Sequence, residues 1–166
     1  MFKKDDYVVY ESLGVCRVKE IERKIFKPLA ARDYYVLELV YGPSTTVYAP
    51  VDNEKLNIRP VLAAKEVKEL IQSMPGEAEL SEVEDDERRA KYKEIISSGD
   101  RPGLVRIIKT LYSRRENVPK GRKFPDADER IMKDAERILY EEFALALNLK
   151  PNEVLSYITK SLGTAQ

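Results

Sequence analysis

Two pairs of neighbouring carboxylates are the residues of this chain best suited to chemistry: Asp85 with Asp86, and Glu141 with Glu142. A pair of acids can carry out hydrolysis without histidine or cysteine. Neighbours on a helix point to different faces, however, and no motif with a known mechanism surrounds either pair. We therefore predict that the protein is not an enzyme, and we keep a hydrolase that uses carboxylates alone as the enzymatic alternative.

The composition excludes most other catalytic designs. The 166 residues include no histidine, no tryptophan and a single cysteine, Cys16. Nucleophilic sets built on Ser/His/Asp or Cys/His are impossible, and thiolate or imidazole zinc sites cannot be assembled. We predict no catalytic residue, no metal, no cofactor and no small-molecule substrate. Cys16 stands beside Arg17 in a strand pattern, where we expect a small buried hydrophobic side chain rather than a reactive thiol.

The expected location follows from the same composition. A lone cysteine fits a reducing cytoplasm, and the sequence shows no signal-peptide pattern. No window approaches the roughly 20 apolar residues that a membrane-spanning helix needs. We predict a cytoplasmic protein with no membrane partner.

Charge is balanced overall but segregated along the chain. The 29 basic and 29 acidic residues give a net charge of zero. An acidic run contains Glu77, Glu79, Glu82, Glu84, Asp85, Asp86 and Glu87, and two basic stretches follow it. The basic stretches contain Arg88, Arg89, Lys91 and Lys93, and then Arg101, Arg106, Lys109, Arg114, Arg115, Lys120, Arg122 and Lys123. Such clusters can neutralise several phosphates and give salt-dependent binding to nucleic acid. A solvated helix face with mixed ion pairs is the alternative interpretation.

The hydrophobic period changes near residue 60, which indicates two domains, 1–60 and 61–166. Before it, short apolar and aromatic runs alternate with turn signals, and we predict strands over 7–10, 14–22, 34–40 and 45–50. The run 34–40 is largely apolar on both faces, which favours a central strand. After residue 60 the period is about 3.6, which predicts helices. The fold class is therefore α+β, with a small β-barrel domain followed by an all-α domain.

Several residues are predicted to begin or end the helices. Gly99 is placed as a C-terminal cap, and Asp100 as the cap of the next helix, with Pro102 in its first turn. Asp126 and Glu129 have the spacing of a capping box for the longest helix, which is predicted to end near residue 148. The apolar stripes of these helices predict a shared core rather than a cofactor site.

Four stretches resemble the CarD/CdnL family of bacterial transcription regulators. Residues 4–18, KDDYVVYESLGVCRV, resemble the start of the family's RNA-polymerase-interacting domain, a Tudor-like barrel that also occurs in the transcription-repair coupling factor. The helical half resembles the carboxyl-terminal domain in KYKEIISSGDRPGLVRIIKTLY, in KGRKF and in DERIMKDAERILYEEFALAL. The resemblance covers nearly the whole chain.

The resemblance implies a non-enzymatic regulator whose barrel docks on the RNA polymerase β subunit, pairing strands edge to edge. An exposed strand edge suits this role because its amide and carbonyl groups are already in register for another chain. The matching positions are Arg23, Lys24, Val47, Tyr48 and Pro50. Family members often carry basic groups at two of these places and Tyr48 departs from that pattern, so only Lys24 is expected to make a charge contact.

The resemblance also implies that the helical domain contacts promoter DNA near the upstream fork and affects the stability of the open complex. Phosphate contacts of this kind are largely independent of sequence. The expected DNA-binding residues are Arg88, Arg89, Lys91, Lys93, Arg114, Arg115, Lys120, Arg122 and Lys123. Many members insert a tryptophan wedge just before the basic helix; here the matching residues, 82–87, are acidic, with Val83 the only apolar one. A protein-protein interaction module that never touches DNA is the alternative function.

Overall fold

The computed structural model describes residues 1–10, 13–55, 57–80 and 84–163. The chain divides into two compact units, Met1–Val61 and Leu62–Gln166. The first unit is an antiparallel β-sheet and the second is helical, which confirms the predicted α+β class with the β domain first.

The sheet has five antiparallel strands in the order β4-β3-β2-β1-β5. Their bounds are β1 Tyr7–Tyr10, β2 Gly14–Lys24, β3 Arg32–Leu39, β4 Thr46–Pro50 and β5 Ile58–Pro60. Strands β1 to β4 lie where the alternating pattern predicts them. The three-residue β5 was not predicted, because so short a segment carries no readable alternation. It pairs with β1 and forms one edge of the sheet, and β4 forms the other.

Strand β3 is an interior strand of the sheet, covered on both sides as its two largely apolar faces predicted. It lies between β2 and β4, and the four residues from Tyr34 to Leu37 are all buried. Tyr35 and Leu37 belong to a core cluster that also contains Cys16. Cys16 has no exposed surface, which confirms its expected burial.

The second unit contains five α-helices and one turn of 3-10 helix among its described residues. The bounds are α1 Ala64–Ser73, the 3-10 turn Met74–Gly76, α2 Asp85–Ser98, α3 Arg101–Glu116, α4 Asp126–Leu147 and α5 Pro151–Gly163. Buried apolar residues of all five α-helices form its core, including Val67, Tyr92, Leu104, Ile138, Phe143 and Val154. No helix in the described part of the chain is long and apolar enough to cross a bilayer.

The helix ends agree with the sequence predictions in part. Gly99 adopts the left-handed conformation (φ 70°) and ends α2 as predicted, and Asn148 (φ 57°) ends α4 in the same way. Asp100 occupies the position before α3, but its side chain makes no capping hydrogen bond. The predicted capping box of α4 is wrong: Pro125 stands at the cap position and Asp126 is already the first helical residue.

Candidate functional site

One open edge of the sheet exposes main-chain groups of β4. Leu39 N–H donates to Thr45 O (3.3 Å) and Val51 N–H donates to Asp33 O (3.0 Å). Hydrogen-bonded pairs recur every second residue in an antiparallel ladder. The main-chain groups of Thr46 and Tyr48 therefore point away from β3, and no strand of the described residues pairs with that side.

Aromatic rings cover the surface next to this edge. Phe26 lies 5.0 Å from Tyr34 and 5.3 Å from Tyr48, measured between ring centroids, and both contacts are inclined rather than stacked. The Lys24 ammonium lies 5.2 Å from the Tyr48 ring centroid, within cation–π distance. Phe26 and Tyr48 are partly exposed, at 39% and 36%. We call Lys24, Phe26, Tyr34 and Tyr48 the aromatic patch.

The other residues predicted for polymerase binding are placed less uniformly. Arg23 is exposed at the end of β2 and lies 3.4 Å from Asp33. Val47 packs partly against the sheet core, so its side chain faces inward, and Pro50 is half-buried at the end of β4. Sequence reasoning missed Phe26. The signal that was available is the apolar pair 25–26 between two lysines.

The structure contradicts the expectation that Arg88 is accessible for DNA contact. Arg88 is only 1% exposed. Its two terminal nitrogens donate to the two carboxylate oxygens of Asp128, at 2.9 and 3.0 Å, and one of them also reaches Asp85 at 3.2 Å. A buried guanidinium held in this way has no surface to offer to a phosphate. Arg88 therefore joins the start of α2 to the start of α4.

Asp128 is the centre of this buried ion-pair network, because Arg89 also donates to it at 3.1 Å. Burial alone would raise the pKa of the Asp128 carboxyl. The hydrogen bonds and charges of Arg88 and Arg89 outweigh that effect and lower the pKa below its ordinary value. Arg89 thus also forms an ion pair with Asp128, and 23% of its side chain remains exposed.

This lowered pKa predicts a specific acid sensitivity. A carboxyl with a depressed folded-state pKa contributes stability that is present above its unfolded pKa, about 3.9, and is lost as the pH falls through the lower folded value. We expect Asp128→Asn to be less stable than the parent at pH 7, and to lose less further stability between pH 5 and pH 2.5. Urea unfolding at several pH values measures this difference. The control is Asp134→Asn, at an exposed position of the same helix; equal acid slopes for parent and Asp128→Asn would contradict the prediction.

The remaining predicted DNA-binding residues divide into two groups. Three are close to carboxylates: Arg114 lies 3.8 Å from Asp85, Arg115 lies 3.6 Å from Glu129, and Lys123 lies 3.0 Å from Asp126. Four are exposed and have no described carboxylate within ion-pair distance, namely Lys91, Lys93, Lys120 and Arg122.

Several of the predicted DNA-binding residues line one cleft of about 380 Å³. Arg114, Arg122 and Lys123 line it, with Arg88 also in the wall, and the acidic residues Asp85 and Asp128 lie in the same cleft. The cleft is formed by the beginning of α2, the end of α3 and the loop 117–125. Four cations against two anions give the lining a net positive charge, and we call this the basic cleft. Of residues 82–87, which match the position of the family's wedge, Glu82 and Val83 lie outside the described residues.

The carboxylate pairs have structural partners. Glu142 is 1% exposed; it accepts a hydrogen bond from Arg101 Nε at 2.7 Å and another from the Leu62 amide at 3.0 Å. Glu141 lies 3.9 Å from Arg137. Asp85 accepts from Arg88, whereas Asp86 is exposed. Among the described residues, no group of three or more acidic or cysteine side chains is arranged to hold a metal ion.

Comparison with protein-family models finds two matches in consecutive parts of the chain. Residues 2–62 match the model described as the CarD-like/TRCF RID domain, and residues 69–159 match the CarD C-terminal domain. A search of the curated proteins finds no match.

A β-sheet domain of the first type followed by a helical domain of the second defines a non-catalytic transcription factor of the class that associates with RNA polymerase. The chain belongs to the CarD family.

Proposed function

We propose that this protein docks on the β subunit of RNA polymerase through the edge of β4, contacts promoter DNA near the upstream fork through its helical unit, and so modulates the stability of the open complex. Its place of action is the cytoplasm, on polymerase at the nucleoid. The observation that carries the proposal is the open β4 edge bordered by the aromatic patch.

The β4 edge supports docking by strand addition. In this mode main-chain hydrogen bonds supply affinity, and side chains beside the edge supply specificity. Thr46 and Tyr48 offer outward main-chain groups, whereas Pro50 has no N–H and limits the ladder to the first part of the strand. The partly exposed rings of Phe26 and Tyr48 add apolar area. Lys24, whose ammonium lies 3.2 Å from Glu22 Oε2, can exchange this partner for an acidic group on the polymerase.

The docking proposal is tested with the full chain as bait. We expect it to retain a β-subunit fragment that contains the lobe, in a pull-down, and to lose that fragment when Lys24 is changed to Glu. Lys19→Glu is the matched control, because Lys19 is an exposed lysine of the same strand. Failure of the parent chain to bind polymerase core or any β fragment would refute the docking proposal.

The proposed DNA contact rests on the cations that have no carboxylate nearby. Lys91 and Lys93 belong to α2, while Lys120 and Arg122 belong to the loop beside the basic cleft. Arg89, Arg114, Arg115 and Lys123 can add to the positive field but already interact with acids. Phosphate contacts by such residues position a protein without reading base sequence.

The salt dependence of DNA binding tests this assignment. For duplex DNA, log K falls as log salt rises, and each phosphate contact adds about 0.9 to the steepness of this slope. We expect Lys91→Ala with Lys93→Ala, and separately Lys120→Ala with Arg122→Ala, to weaken binding and to lower the slope by roughly 1 to 2 units. Fluorescence anisotropy on a promoter duplex measures both quantities.

The matched control for the salt experiment is Lys65→Ala with Lys68→Ala, two exposed lysines of α1. If the control lowers the slope as much as the test variants, the DNA contact is not located where we propose.

A protein-protein interaction module without DNA contact is the second candidate function. The ion pairs of Arg89, Arg114, Arg115 and Lys123 with nearby acids favour it, because paired charges attract phosphate less strongly. This alternative would be established if the protein bound polymerase but did not bind DNA at low salt.

A further inference from the structure

The helical unit contains a second cavity, lined mostly by apolar side chains. It has a volume of about 230 Å³, and its walls include Met74, Val105, Ile108, Leu139, Ile158 and Leu162. These residues come from the 3-10 turn and from α3, α4 and α5. The cavity is partly open to solvent, and an apolar cavity of about 150 Å³ is already enough to hold benzene. This cavity therefore has room for a ring or a branched aliphatic group.

A lysine at the wall of this cavity has no acidic partner. Lys109 Nζ donates to the carbonyl oxygens of Met74 (3.0 Å) and Glu77 (2.6 Å). The Glu77 carboxylate is bound instead by Arg106 Nε at 2.8 Å. Within the part of the chain that the structure describes, no carboxylate lies within ion-pair distance of Lys109. An ammonium has three protons to donate, so one donor and a largely uncompensated charge remain.

A tyrosine, Tyr140, also lines the cavity. Burial raises the pKa of Tyr140 to about 12, and Glu136, one turn earlier on α4, adds a smaller effect in the same direction. The phenol thus stays neutral and can donate a hydrogen bond at any physiological pH. None of the described residues accepts a hydrogen bond from it. Apolar walls with a few polar groups are the usual composition of a small-molecule site.

We propose that this cavity binds a small monocarboxylate with an apolar body, about eight to ten non-hydrogen atoms in all, whose carboxylate contacts Lys109 and Tyr140. The ammonium fits the charge, the phenol offers a hydrogen bond, and the apolar walls fit the body of the ligand. The site is independent of the β4 edge and of the basic cleft, so its test does not depend on polymerase or DNA binding.

Phenylacetate is a suitable probe, and binding is followed by two-dimensional amide NMR of the full chain. We expect saturable shifts that are confined to residues around the cavity. Phenylacetamide, which keeps the shape but lacks the charge, should bind several-fold more weakly. Acetate, which lacks the ring, should cause no saturable shift at the same concentrations.

Conservative variants test the two polar contacts. Tyr140→Phe keeps the ring but removes the hydroxyl, and we expect it to weaken phenylacetate binding by about threefold to tenfold, the effect of one hydrogen bond. Tyr112→Phe, on an exposed tyrosine of α3, is the matched control. Lys109→Met should reduce phenylacetate binding to the level of phenylacetamide, with Lys133→Met as its control.

Three results would overturn the proposal. They are the absence of saturable shifts with phenylacetate, shifts that map outside the cavity, and equal affinity for phenylacetate and phenylacetamide. Because Lys109 also holds two carbonyl groups, its variant could lose structure; Tyr140→Phe then still decides the outcome.

Discussion

Replacing Arg88 by alanine is expected to lower the free energy of unfolding by about 3–5 kcal/mol, the cost of breaking a buried ion pair by removing one partner. The alanine leaves Asp128 in an almost fully buried position, with only Arg89 to balance its charge. It also removes the cation–π contact between the guanidinium and Tyr92, whose ring centroid lies 5.4 Å away. Urea unfolding followed by circular dichroism measures the loss.

Two comparisons separate a structural role of Arg88 from a DNA contact. Lys91→Ala, at an exposed position of the same helix, should change stability by no more than about 0.5 kcal/mol. The double variant Arg88→Ala with Asp128→Ala should be more stable than the sum of the two single effects predicts, because residues in contact are coupled. An Arg88→Ala protein of unchanged stability and weakened DNA affinity would show instead that Arg88 contacts DNA directly.

Tyr48→Ala is expected to reduce affinity for RNA polymerase by about tenfold to one hundredfold, the usual effect of removing a central aromatic residue from an interface. Tyr48 combines two roles in the proposed docking surface. Its main chain belongs to the open edge of β4, and its ring contacts Phe26 and lies under the Lys24 ammonium. Biolayer interferometry with immobilised polymerase core measures the change.

The matched control is Tyr7→Ala, because Tyr7 is a similarly exposed tyrosine (44%) on β1 of the same sheet. It should bind polymerase like the parent chain. Phe26→Ala should weaken binding less than Tyr48→Ala, since the Tyr48 ring stands on the edge strand itself, whereas Phe26 lies beyond the end of β2. If Tyr48→Ala binds with parental affinity, the polymerase does not dock on this edge.

Local patterns were sufficient to predict most of the fold. The two-sided apolar run of residues 34–40 predicted a central strand, because only a strand covered on both faces can bury both sets of side chains. The position of Gly99 predicted the end of α2, because a left-handed residue there is most easily a glycine. Capping was predicted less well: Asp126 has the right spacing to Glu129, but the helix begins one residue earlier than that motif requires.

Local sequence could not predict which charged residues are buried and which are exposed. Arg88 and Lys91 are members of one basic run, yet Arg88 is buried and Lys91 is exposed. The difference is made by Asp128, which lies 40 residues further along the chain. The aromatic patch likewise depends on contacts between residues distant in sequence, because Phe26 contacts Tyr34 and Tyr48 only when β2, β3 and β4 are assembled. Contacts between distant residues thus determine which members of a pattern remain available for binding.

The open edge of β4 has a further consequence for the purified protein. An edge that can accept a strand from the polymerase can also accept β4 of another copy, which is a route to aggregation. The strand has only five residues, and Pro50 removes the last donor, so the ladder that two copies could share is short. Lengthening this edge, for example by replacing Pro50 with a β-branched residue, would therefore be expected to make the protein less soluble when polymerase is absent.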